Sequence, residues 1–108
     1  MENPSVTPAR TTHYVLRGLL YCRPCDRTLV PAYSSDGQRF YGCPGVSCPR
    51  PWVPAGPTEE QVWARFAALN EDAARRIPAE GRQEALAAVL VRVVVGEQVG
   101  DLAYDWRD

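Results

Sequence analysis

Two stretches decide the reading of this chain: Leu20-Tyr21-Cys22-Arg23-Pro24-Cys25 and Phe40-Tyr41-Gly42-Cys43-Pro44-Gly45-Val46-Ser47-Cys48. They hold all four cysteines of the 108 residues, spaced C-x2-C, a gap of 17 residues, then C-x4-C. Zinc takes four soft donors in a tetrahedron, and two short-spaced cysteine pairs on tight backbone knuckles supply them. The gap has room for two strands and a turn. Ser34-Ser35-Asp36-Gly37-Gln38 reads as that turn, because Asp-Gly accommodates the positive φ angles of tight hairpins. The expectation is a β-hairpin with a cysteine pair at each end and one structural Zn2+ on Cys22, Cys25, Cys43 and Cys48. Four thiolates fill the coordination sphere and leave no position for an activated water, so the metal is structural and not catalytic.

The competing readings of the cysteines are weaker. Two disulfides call for an oxidising compartment, and the N-terminus has neither a basic region nor an apolar one of the kind that directs export. A thioredoxin-like pair at Cys22 and Cys25 lacks a βαβ context. His13 is a further nitrogen donor, but four thiolates suffice without it. The apolar stretch of residues 85–95 is far short of the ~20 residues that span a bilayer, so no membrane role is expected and the chain is placed in the cytoplasm.

Working outward, residues 1–12 read as a flexible tail. Tyr14-Val15-Leu16 and Leu19-Leu20-Tyr21 are rich in β-formers, as are Thr28-Leu29-Val30-Pro31-Ala32-Tyr33 and Arg39-Phe40-Tyr41. Residues 13–56 form the zinc β-ribbon in this reading, and Pro49, Pro51, Pro54 and Pro57 punctuate a linker. Residues 57–108 form a helical segment with C-terminal strands. Thr58 and Gln61 have the spacing of a capping box. Val62, Phe66, Leu69 and Ala73 then mark one face of an amphipathic helix that ends before Pro78. A second helix is predicted over residues 79–90, presenting Leu86, Val89 and Leu90. Residues 91–95 are β-branched except for Arg92, and residues 102–106 alternate as a half-buried strand. The fold class is α+β: a small zinc β-ribbon, two helices and a C-terminal β-hairpin.

Net charge is −1, but its distribution is uneven. Residues 10–52 hold six arginines against Asp26 and Asp36, whereas residues 57–108 hold six arginines against ten acidic residues. The ribbon is basic and the remainder acidic. All 12 basic residues are arginine. With the abundant alanine, valine and proline this fits a GC-rich genome, so arginine usage alone says little about phosphate recognition. Tyr21, Phe40 and Tyr41 are expected in the ribbon core, and Trp63 and Phe66 between the first helix and its neighbours.

The run Leu16-Arg17-Gly18-Leu19-Leu20-Tyr21-Cys22-Arg23-Pro24-Cys25, with Phe40-Tyr41-Gly42-Cys43 and Cys48 downstream, closely resembles the zinc β-ribbon domain of large serine recombinases. Residues 76–95 resemble the helix and strand that follow the coiled coil in those enzymes, so the resemblance spans about residues 13–108. It implies double-stranded DNA binding, with Arg17, Arg23, Arg27, Arg39 and Arg50 as candidate contacts interleaved with aromatic residues. The departures matter equally. Neither the catalytic domain nor the middle DNA-binding domain of those enzymes is expected within these 108 residues, which open on the ribbon. The long coiled coil is missing or reduced to a short turn near residues 75–80. Asp26 replaces the usual glycine after the second cysteine.

A non-enzymatic DNA-binding accessory module is therefore expected, unable to cut DNA by itself. One histidine, no serine–histidine constellation and no open metal position argue against catalysis, and no small-molecule substrate is expected. The alternatives are a protein-interaction module that docks on a recombinase or self-associates, and a decayed fragment that still folds.

Overall fold

The computed structural model describes residues 14–45, 48, 51–98 and 100–107. The expected tail (1–12), His13 and Arg50 lie outside the described residues. Residues 14–19 form two successive turns rather than the strand their β-formers predict. The Arg17 amide donates to the Tyr14 carbonyl at 3.0 Å and the Leu19 amide to the Leu16 carbonyl at 2.9 Å. Gly18 makes this possible with φ +82°, a conformation that costs other residues roughly 1 kcal/mol or more. The turns bring Tyr14, Leu16 and Leu19 into the core together.

Strand β1 (Leu20–Cys22) follows and pairs antiparallel with the short β2 (Arg27–Thr28) across the first cysteine knuckle. The expected single strand through Thr28 and Tyr33 divides at the buried Leu29, where the chain passes from one sheet to another. Strands β3 (Val30–Tyr33) and β4 (Arg39–Gly42) form the predicted hairpin, with Val30 opposite Gly42 and Tyr33 opposite Arg39. Its turn uses Gly37 at φ +85° and Asp36, whose carboxylate accepts from the Ser34 hydroxyl. A two-residue β5 (Val53–Pro54) from the proline-rich linker adds to β4, giving the order β3-β4-β5.

Helix α1 (Ala55–Leu69) begins three residues before the predicted cap. Thr58 is buried inside the helix and caps nothing, while Gln61 donates to the Gly100 carbonyl at 3.1 Å. Pro57 is tolerated because the first turn of a helix has no intrahelical partner for its missing N–H. The apolar face runs through Val62, Trp63 and Phe66 and stops there: Leu69 is 58% exposed and Ala73 is exposed. Asn70, at φ −140°, breaks the helix and donates both its amide and its side chain to the Phe66 carbonyl. Helix α2 (Glu71–Arg76) restarts in a different phase and buries no residue. Ile77 is extended ahead of Pro78, as a residue before proline prefers.

After a single 3₁₀ turn, α3 (Arg82–Val89) leads directly into β6 (Leu90–Val95), and β7 (Leu102–Trp106) returns antiparallel to it. The two helices and the C-terminal hairpin of the sequence reading are present. The pairing of β6 is new: it lies parallel to β1, with Leu20 opposite Val93 and Cys22 opposite Val95. The resulting sheet has the order β2-β1-β6-β7. Tyr14, Leu16, Leu20, Tyr41, Val53, Val62, Leu86, Leu90, Val93 and Val95 share one core drawn from both the 13–56 and 57–108 segments. Trp63 and Phe66 pack ring to ring at 4.9 Å, and the Arg82 guanidinium covers Trp63 at 4.7 Å, which holds α1 against α3.

Candidate metal centre

The first knuckle is held from both sides. The Arg23 amide donates to the Val95 carbonyl at 3.1 Å, so β6 anchors the residue after Cys22. The Asp26 amide closes the turn on the Cys22 carbonyl at 2.7 Å. Asp26 has φ +53°, which explains how aspartate serves where a glycine is usual: its short polar side chain tolerates the left-handed region. The second knuckle leaves the end of β4. The Gly45 amide points at the Cys43 sulfur at 3.4 Å, and the Cys48 amide donates to the Gly45 carbonyl at 3.2 Å. A Cβ at Gly45 would touch the sulfurs of Cys25 and Cys43 at 3.4 and 3.5 Å, so the backbone packs closely over the cluster.

The four sulfurs lie within 4.8 Å of one another, and those of Cys22 and Cys48 are 3.7 Å apart. With Zn–S bonds near 2.3 Å, the edge of a tetrahedron is about 3.8 Å. Disulfides, at about 2.05 Å, are excluded: none of the four cysteines is disulfide-bonded. The Cys25 and Cys43 thiols resist ionisation in this cluster. Hydrogen bonding with Cys48, then burial, pushes Cys25 up to about 12. Burial is the main influence raising Cys43. Thiolates here need a cation at their centre, and metal binding expels the protons. Cys22, Cys25, Cys43 and Cys48 form one structural zinc site.

A second polar cluster, not foreseen from the sequence, joins the ribbon to α1. Glu59 is 8% exposed. Its carboxylate accepts from the Tyr41 hydroxyl at 2.7 Å, from the Val15 amide at 3.3 Å, and from both terminal nitrogens of Arg39 at 2.9 and 3.1 Å. Tyr41 in turn accepts from the Leu16 amide at 3.0 Å. Burial, followed by the Glu59 charge, pushes the Tyr41 hydroxyl well above the usual phenol range. The Glu59 hydrogen bonds raise Arg39. Arg39 also lies over the Tyr14 ring at 5.1 Å.

The arginines singled out in the sequence thus fall into different settings. Arg23 lies between two zinc ligands, and Arg27 sits opposite Cys22 in the β1–β2 pair. Arg17 occupies the turn that precedes β1. All three are exposed, and among the described residues none forms a side-chain ion pair. Arg39 is committed to Glu59. Of the aromatic residues, Tyr41 is buried, Tyr21 and Phe40 are half-buried, and Trp52 is 49% exposed.

Residues 15–67 match the model of the family described as the recombinase zinc beta ribbon domain. A solved structure described as "Sequence Requirements of the Listeria innocua prophage attP site" superposes with a TM-score of 0.67 at 14% identity. The match covers 95% of this chain and 47% of that one, so the chain spans about half that protein's length. At this identity the likeness is one of fold. No curated protein matches the chain.

Proposed function

Residues 15–67 are a recombinase zinc beta ribbon domain, and on that premise we propose that this recombination-associated zinc module binds double-stranded DNA through the zinc end of its ribbon. The observation that carries this reading is the placement of Arg23 and Arg27. Both are exposed and both flank Cys22: Arg23 stands on backbone bonded to β6 through the Val95 carbonyl, and Arg27 on β2, opposite Cys22 in the pair with β1. Arginines on such a frame pair phosphates, and donate two hydrogen bonds to guanine, at little further entropic cost. Arg17 extends the cationic surface, and Arg50 remains a candidate by its position in the sequence. Arg39 is set aside, because its guanidinium already has a carboxylate partner.

In this reading the module is not an enzyme. A four-thiolate zinc has no open position, so the metal holds the knuckles and leaves recognition to the arginines. A thiolate site suits a reducing compartment, which supports a cytoplasmic location in this reading. Among the described residues no helix is long and apolar enough to cross a membrane. A second reading, docking on a recombinase or self-association, draws support from Leu69, exposed where α1 breaks.

Fluorescence anisotropy of the zinc-loaded protein on a mixed-sequence duplex tests the proposal. Three phosphate contacts predict about forty-fold weaker binding at 200 mM than at 50 mM salt. Absence of binding at low salt, with concentration-dependent size on gel filtration, would favour the protein-interaction reading instead.

A further inference from the structure

Strand β4 alternates cleanly. Arg39 and Tyr41 turn toward Glu59, so Phe40 and Gly42 belong to the opposite face of the three-stranded sheet. The register places Ala32 and Pro54 opposite Phe40, and Val30 opposite Gly42. Every residue in this set is apolar or glycine. The indole of Trp52 lies across Gly42: a Cβ on that glycine would stand 3.2 Å from the indole nitrogen. On its other side Trp52 meets the Phe40 ring at 5.6 Å. The absence of a side chain at residue 42 thus lets a large ring lie low on the sheet, yet Trp52 stays 49% exposed and Val30 43% exposed.

We infer that Trp52 is an apolar reading element that contacts the C5-methyl groups of thymine in the major groove; this rests on the duplex-DNA reading above. Three features favour that occupant. Gly42, under the indole, is joined directly to the zinc ligand Cys43, so the platform sits at the same zinc-bearing end as Arg23 and Arg27. None of the described residues placed on this face, Val30, Ala32, Phe40, Gly42, Trp52 and Pro54, carries a charge that would repel a phosphate backbone. The thymine methyl is the one apolar group that B-DNA presents in its major groove. A second copy of the chain is a poor occupant, because strands of two to four residues offer far less than the ~800 Å² per partner of a stable interface.

The test compares one duplex containing thymine with the same duplex containing deoxyuridine, which lacks only the methyl. Wild-type protein should bind the deoxyuridine duplex about four-fold more weakly for each methyl contacted. Trp52→Ala should bind both duplexes equally, with the wild-type salt slope. Zinc content and circular dichroism verify its fold, and Trp52→Gln replaces it if zinc is lost. Equal wild-type affinity for the two duplexes, with salt dependence intact, would overturn the inference and leave the DNA reading standing. A variant that still discriminates would overturn it by placing the methyl contact elsewhere. No duplex binding at low salt would overturn both. Self-association abolished by Trp52→Ala, without change in DNA affinity, would assign the platform to a protein partner.

Discussion

Replacing Glu59 by alanine should destabilise the protein by about 3–4 kcal/mol. The carboxylate accepts the Tyr41 hydroxyl proton, and it neutralises Arg39 across a bidentate pair. Removing one partner of a buried ion pair costs about 3–5 kcal/mol, because the other charge stays buried. Arg39 keeps 30% of its side chain accessible, which places its share at the lower end. The stranded Tyr41 hydroxyl, fully buried, adds on the order of 1 kcal/mol. For a chain of 108 residues this lowers Tm by roughly 12–20 °C. Urea unfolding in zinc-saturated buffer measures it directly, with Arg39→Ala and the double variant completing a cycle. A coupling of 1–2 kcal/mol or more is expected between the two sites. Glu59→Ala within 0.5 kcal/mol of wild type, with no coupling, would refute the reasoning and return Arg39 to the DNA-facing set.

The other expectations are simpler. Cys22→Ser or Cys43→Ser should abolish stoichiometric zinc by metal analysis and cooperative melting of the ribbon, since structural zinc contributes on the order of 10–16 kcal/mol in small peptides. Leu86→Ala, at a fully buried contact between α3 and the core, should cost about 2–5 kcal/mol in the same urea assay. Gly96→Ala would press a methyl into the Asp101 carboxylate and should cost about 1–3 kcal/mol. Above pH ~10 the unfolded chain releases the Tyr41 proton while the folded chain, with its raised hydroxyl, retains it. The Tyr41 contribution to stability is therefore complete below pH ~10 and is lost by about 1.4 kcal/mol per pH unit beyond it, so Tyr41→Phe should reduce the slope by that amount.

Local chemistry was readable in the sequence, and long-range pairing was not. The zinc ligands declared themselves by spacing, because a tetrahedron of thiolates demands two tight knuckles. The Asp36-Gly37 turn and the alternation of residues 102–106 are rules of one or two residues, and both reappear in the structure. By contrast, β1 is three residues long and its parallel partner lies some seventy residues away, so no local pattern announces the contact. Residues 14–16 have strand composition, but Gly18 redirects them into turns that serve the core. Thr58 had the right neighbours for a cap, yet Pro54 ends β5 and Ala55 is already helical. Leu69 and Ala73 continued the apolar period, which Asn70 interrupts. Glu59 carries no local signal; its role depends on Arg39 and Tyr41 arriving from a strand eighteen and more residues earlier. The same pairing explains why the charge count of the ribbon overstated its free cations.

The most direct test of the account is the salt slope of duplex binding in three proteins: wild type, Arg39→Ala, and the Arg17→Ala, Arg23→Ala, Arg27→Ala triple variant. The account predicts that the triple variant loses about 2.7 units of slope, some 0.9 for each phosphate contact, while Arg39→Ala keeps the wild-type slope whatever it loses in stability. A triple variant with the wild-type slope, or an Arg39→Ala variant that alone flattens it, would contradict the assignment of the zinc end to DNA.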